Sequence, residues 1–301
     1  TLCWFPSRPR QPQEVPRALP RRGAASGMMG QYIYGTGGGG VVGVAFHSLR
    51  QYRWCEHGDD ARVLAGGHSL IPLMKVRMAD VSHVIDLKDV GDMSSIDLSS
   101  DSIEIGAMVT QHAIIEHVGL ATEAPILREA ALQISDPQVR YMGTVGGNLA
   151  NGDPANDMPG LMQCLNATFT VVGPNGTRHI AAREFYEAAY VTARSDDEVL
   201  TKVTIPTYLG GCSYEKQKRK IGDYATAAAA VLISKDGDYC KSASVAMTNL
   251  SDTPIFSMDA GSALVGTTLD ESSINAAIAA MVSDIDPAAD NRGPVEFKKY
   301  V

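Results

Sequence analysis

Two glycine-centred turns carry the residue types that hold anions: "AGGHS", Ala65 to Ser69, and "TVGGN", Thr144 to Asn148. Glycine has no Cβ, so the backbone N–H groups around Gly66, Gly67, Gly146 and Gly147 can come within hydrogen-bond reach of a ligand. Each turn adds short polar side chains, His68 and Ser69 in one, Thr144 and Asn148 in the other. A strand that passes through such a turn into a helix presents free N–H groups and the positive end of the helix dipole, which suits phosphate. A diphosphate has two charged groups, and a pair of turns could hold it from opposite sides. Taken singly, each turn is also what a tight chain reversal needs without any ligand.

The acids after the second turn extend this reading. Asp153 and Asp157 lie in the proline-punctuated loop "NGDPANDMPG", where a carboxylate could accept from ribose or ribityl hydroxyls. The same residues serve equally as Asx turns, with Asp157 the N-cap of a helix over "MPGLMQCL". "KQKRK", 216–220, reads as a basic surface strip from which Lys216 could reach an anion. His112 and His117 are five apart, outside the helical spacing of a metal pair, and no H-E-x-x-H occurs. Met142, Met158 and Met162 read as filler. No nucleophile elbow or Ser–His–Asp order stands out, so no catalytic residue and no metal ligand is assigned.

The elements that must position these residues can be read from Gly58 onward. "ARVLA" is a short strand, the Gly66–Gly67 turn follows, and a helix starts near Ser69. "VSHVIDL" (81–87) gives another strand, "DSIEIGAMVT" alternates as a strand, and "LREAALQI" (127–134) has helical spacing. "ATFTVVG" and "RHIAAREF" flank "PNGT" as a hairpin. "VLTKVTIP" is a strand closed by Pro206, and a helix is expected through about 271–283. The mixture is α+β with antiparallel strands in the middle and a boundary near Pro206–Gly211.

Composition narrows the class. With 301 residues, 45% of them hydrophobic, the chain can hold two or three compact units. No apolar run reaches membrane-spanning length, and a net charge of −8 argues against nucleic acid as a partner. The five cysteines, at 3, 55, 164, 212 and 240, show no C-x-x-C pair and no iron–sulfur spacing. A reducing, cytoplasmic setting is expected.

Residues 1–57 stand apart. They carry seven arginines, no lysine and two acids, a balance of +5 that leaves −13 for the remainder. We expect this segment to be non-native, from a frameshifted or misassigned 5′ region, or disordered. "GTGGGG", Gly35 to Gly40, matches G-x-G-x-x-G, but no capped amphipathic helix follows and the match reads as an accident of a glycine run.

Three stretches then show a family likeness: "LAGGHSLIPLMKVRMADVSHVIDL", "DPQVRYMGTVGGNLANGDPANDMPGLMQCLNA" and "YEKQKRKIGDYATAAAAV". They resemble the FAD-binding medium subunits of molybdenum hydroxylases, which carry a PCMH-type FAD-binding fold. "KRKIGDYATAAAA" points to the carbon monoxide dehydrogenase branch. The resemblance implies a small α/β subdomain and an antiparallel-sheet subdomain within 58–206, split near 88, with FAD between them. A C-terminal α/β flavoprotein unit, 207–301, is expected to be cut short of a last helix. It places Ala65, Gly66, Gly67, His68 and Ser69 in a first FAD diphosphate loop, led by Leu64. Thr144, Val145, Gly146, Gly147 and Asn148 fall in a second loop. Asp157 matches an acidic FAD contact, and Ile134 a pocket-lining position. Leu200 and Lys216 match positions near the isoalloxazine ring, and Tyr224 a ring-facing aromatic.

The resemblance implies FAD as cofactor, a large molybdenum-cofactor subunit and a small [2Fe-2S] subunit as partners, and assembly as a dimer of heterotrimers. It further implies a quinone-type electron acceptor and peripheral association with the inner face of the membrane. Alternatives are the FAD subunit of an N-heterocycle or xanthine-type hydroxylase, or a fragment that no longer binds FAD.

Overall fold

The computed structural model describes residues 30–36, 39–45, 61–208 and 210–301, the first two stretches by their backbone alone. β1 (Gly30–Thr36) and β2 (Gly39–Ala45) pair antiparallel. A strand rather than a helix therefore follows the glycine tract, which denies "GTGGGG" the strand–turn–helix setting of a dinucleotide fingerprint. The other expectations for residues 1–57 fall outside the described residues. β3 (Ala61–Leu64), the turn 65–69, α1 (Leu70–Lys75) and β4 (His83–Asp86) follow. β4 runs parallel to both β3 and β2, giving the order β1-β2-β4-β3.

The middle of the chain alternates short helices with an antiparallel sheet. β5 (Ile96–Leu98) and β6 (Ser102–Gly106) lead into six short helices. These are α2 (Gln111–Glu116), α3 (Val118–Glu123), α4 (Pro125–Gln133), α5 (Pro137–Met142), α6 (Val145–Ala150) and α7 (Asp157–Cys164). β7 (Thr168–Gly173) and β8 (Gly176–Ala181) form the expected hairpin, with Gly173 opposite Gly176. The two-stranded β9 (Tyr186–Ala188) and β10 (Val191–Thr192) precede β11 (Val199–Pro206), the centre of the order β5-β6-β11-β7-β8. β11 turns Val203 and Ile205 into the core, while Lys202 pairs across the sheet with Glu104 at 2.6 Å.

β12 (Gly211–Gln217), β13 (Ala227–Asp236), β14 (Tyr239–Thr248) and β15 (Ile255–Phe256) form a second antiparallel sheet in chain order. α8 (Met258–Leu264), α9 (Glu271–Asp284) and α10 (Val295–Tyr300) complete the chain, α9 matching the expected helix over 271–283. α7 packs across β13 and β14, and small residues let it approach closely. A Cβ at Gly160 would meet the Thr248 hydroxyl and, at 3.2 Å, the Met247 carbonyl oxygen. The buried core runs without a break from Ile85 through Phe169 and Phe185 to Ala230 and Ala246, so the sheets on either side of residues 206–211 share it.

Candidate functional site

A cleft of about 900 Å³ opens between the β3–α1 turn, the helices α4 to α7, and the ends of β11 and β12. Its volume suits a large organic ligand. Leu64, Ala65, Gly66, Gly67, His68, Ser69, Ile134, Thr144, Gly146, Gly147, Asn148, Asp157, Leu200, Lys216 and Tyr224 all line it. Val145 is instead 1% exposed and packed in the core beneath the second turn.

The first turn supplies donors. The N–H groups of Gly66, Gly67, His68 and Ser69 donate to no group among the described residues. Consecutive N–H groups facing a cleft make an anion-binding concavity. Gly67 needs its glycine for conformation, at φ +78°. Gly66 needs its glycine for packing: a Cβ there would strike the Met142 carbonyl oxygen and lie 2.9 Å from Gly143 Cα. The glycine thus seats the first turn on the backbone that leads into the second. Ligand access alone, the expected reason, does not describe it.

The second turn works differently from the expectation. Its N–H groups are already used: Val145 donates to Val109 O at 2.9 Å and Gly146 to Ala107 O at 2.8 Å. Gly147 donates to the Thr144 hydroxyl at 3.1 Å and Asn148 to Thr144 O at 3.0 Å. The cause is that Thr144 caps α6 while the helix start is sewn onto the chain leaving β6. Gly146 accordingly backs onto Ala107, and a Cβ added at Gly146 would come within 2.9 Å of the Ala107 Cα. What this turn offers the cleft is a floor without Cβ at Gly147, and the Asn148 Oδ1, which is buried and has no hydrogen-bond partner among the described residues.

Asp157 is the first residue of α7 and not its N-cap; Asn156 holds that position without a side-chain cap bond, its Nδ2 donating instead to Asn148 O at 2.9 Å. The Asp157 carboxylate is held from behind. The Tyr214 hydroxyl donates to Oδ1 at 2.5 Å and Lys216 Nζ to Oδ2 at 2.9 Å; Lys216 also donates to Gln133 O at 3.1 Å. The ion pair is closed to water, with side chains 1% and 5% exposed. Burial pushes the Asp157 carboxyl up from its ordinary value, against the pull of Lys216 and Tyr214. Burial, then the facing carboxylate, pushes the Tyr214 phenol up as well. Asp153 instead accepts from Ala155 N–H at 2.9 Å as an Asx turn and does not line the cleft.

The loop after β12 closes one end of the cleft. Gly222, at φ +81°, lies against Ser135, and Tyr224 half-exposes its ring with the Arg292 guanidinium 5.3 Å from the centroid. Gln111, Tyr190 and Arg194 are among the lining residues that carried no sequence signal. Tyr190 adopts φ +62° in the tight β9–β10 connection, and Arg194 donates to the carbonyls of Ser195 and Glu198 at 2.6 and 2.7 Å. Their approach depends on tertiary folding, which spacing does not reveal.

Residues 47–208, more than half of the chain, match the family model described as the FAD binding domain in molybdopterin dehydrogenase. The chain belongs to this family. The match begins upstream of Gly58, and residues 212–301 match the CO dehydrogenase flavoprotein C-terminal domain. The chain is 52% identical over 243 residues to the carbon monoxide dehydrogenase medium chain of Afipia carboxidovorans, spanning 80% of this chain and 84% of that one. A crystal structure of the Cu,Mo-CO dehydrogenase in its cyanide-inactivated form superimposes with a TM-score of 0.83 at 49% identity, covering 85% of this chain and 91% of that one. Quinoline 2-oxidoreductase from Pseudomonas putida 86 gives a TM-score of 0.80 at 32% identity, covering 85% and 90%. The α+β fold, with an FAD-binding part followed by a flavoprotein C-terminal part, is that of these medium chains.

Proposed function

We propose that this chain is the FAD-carrying medium subunit of a molybdenum hydroxylase of the carbon monoxide dehydrogenase type. It would take electrons from a small [2Fe-2S] subunit, served by a large molybdenum-cofactor subunit, and pass them to a quinone-type acceptor. The observation that carries this reading is the gathering of the family's FAD positions, all but Val145, around one cleft.

The donor set fits the cofactor. Bound FAD supplies the redox chemistry, and the protein binds and orients it. Four N–H groups of the first turn would hold phosphate oxygens, and the bare Gly147 would let the diphosphate lie close to α6. Lys216 and Tyr214 fix the Asp157 carboxylate as an acceptor toward the cleft. Leu64, Ile134 and Leu200, each less than a tenth exposed, make dry apolar walls, with Tyr224 and Tyr190 at the rim.

Residues 58–206 would form the FAD-binding unit, divided near 88, and 207–301 the C-terminal unit. Assembly as a dimer of heterotrimers and peripheral contact with a membrane belong to the same proposal; no helix among the described residues is long and apolar enough to cross a membrane. The similarity to quinoline 2-oxidoreductase favours one alternative, an N-heterocycle hydroxylase, since the large subunit sets the substrate. Co-expression with the neighbouring genes tests the proposal: the purified complex should hold FAD, iron and molybdenum and reduce a quinone. A complex assembled without flavin would refute it.

A further inference from the structure

We infer that Gln111 is a cofactor-positioning residue, its side-chain amide hydrogen-bonding sugar hydroxyls of FAD. The inference rests on the FAD reading above and adds a contact that neither the glycine turns nor the family motifs mark. Gln111 is only 2% exposed and lines the cleft, yet both its Oε1 and Nε2 are buried with no hydrogen-bond partner among the described residues. A side-chain amide buried with both ends unsatisfied is rare, because its lost hydration is returned by nothing in the protein. Gln163 Oε1 is also unpartnered, but its Nε2 reaches a carbonyl; Gln111 has neither end engaged.

Its position says which part of the ligand it meets. Gln111 follows Thr110, which bridges to Thr144, and the Gln111 N–H donates to Gly143 O at 2.9 Å. The residue is therefore fastened beside the second turn, where Asn148 presents the other orphaned oxygen of the cleft. A phosphate only accepts and would satisfy Nε2 alone, whereas a hydroxyl both donates and accepts. The ribityl and ribose hydroxyls on either side of the diphosphate supply that pairing.

The test is Gln111→Met, which keeps the length of the side chain and removes its polar ends. The full chain, freed of flavin, is titrated with FAD by flavin fluorescence, and the flavin-free protein is melted in parallel. We expect the FAD dissociation constant to rise about tenfold or more, as two lost hydrogen bonds would give. The flavin-free protein should melt at an unchanged or higher temperature, because the orphaned amide is gone. A dissociation constant within about twofold of wild type would mean that water satisfies the amide, and would overturn the inference. A lower melting temperature would show a structural role and overturn it as well. Wild-type protein that binds no FAD would instead sink the reading on which it rests. An FMN titration separates the two sugars: a weakening shared by FMN assigns the ribityl chain, and one confined to FAD assigns the ribose.

Discussion

Gly66→Ala and Gly147→Ala add the same methyl group to two facing turns, and the structure predicts opposite consequences. At Gly66 the nearest atoms are all backbone: the Met142 carbonyl oxygen, the Met142 carbonyl carbon at 2.8 Å and Gly143 Cα at 2.9 Å. Carbon–oxygen contacts rest at a little over about 3 Å, and the carbonyl oxygen lies closest, so the turns must part by about 1 Å. No side chain can rotate to relieve this. Overpacking of this kind costs about 2 kcal/mol, a fall of about 3 °C in the melting temperature of a flavin-free chain of this length. At Gly147 the nearest atoms are the Thr144 hydroxyl at 2.8 Å and Ala65 Cβ at 3.5 Å. The hydroxyl can swing away at a cap loss of about 1 kcal/mol, offset by the roughly 0.5–1 kcal/mol by which alanine outdoes glycine within a helix. Stability should hardly change. The methyl nevertheless stands on the cleft floor, and a steric cost of about 1–3 kcal/mol against the ligand would weaken FAD roughly 5- to 150-fold. Melting curves and flavin-fluorescence titrations read both quantities. Equal destabilisation by the two changes, or wild-type FAD affinity in Gly147→Ala, would refute the division of labour between the turns.

Lys216→Met strands the buried Asp157 carboxylate and should destabilise the fold by about 3–5 kcal/mol in urea titrations. Burial already raises the Asp157 pKa and this change removes a lowering partner, so the deficit should shrink as pH falls and the carboxyl takes a proton. Arg178 binds Glu198 through two contacts of 2.7 Å and holds it below its ordinary value of 4.5. A lowered folded-state pKa gives stability that is complete above the unfolded value and is lost as pH falls through the folded one. Glu198→Gln should therefore flatten the dependence of the urea midpoint on pH below about 4.5. Burial pushes the Cys164 thiol up to about 12, so iodoacetamide at neutral pH should leave its peptide unmodified by mass spectrometry until the chain is unfolded.

The parts of the site written in local turn chemistry could be read from the sequence. Gly67 at positive φ, the Thr144 cap and the β7–β8 hairpin each depend on residues close by in the chain. Strands with clean alternation, such as β11, were legible for the same reason. The roles of Gly66 and Gly146 were not, because their neighbours, Met142 and Ala107, lie far along the chain and both glycines look like ligand-facing positions in isolation. β13 was also hidden: "ATAAAAV" favours helix by propensity, and becomes a strand because small side chains admit α7 against the sheet. Gln111 carried no signal, since an unsatisfied amide exists only once the surrounding core has formed.

Hydrogen exchange of the flavin-free chain with and without FAD tests the central claim most directly. Binding should slow exchange at the N–H groups of Gly66, Gly67, His68 and Ser69, which have no protein acceptor among the described residues. Val145 and Gly146, already bonded to Val109 and Ala107, should change far less. FAD bound with no new protection at residues 66–69, or protection centred on 145–146, would contradict the account.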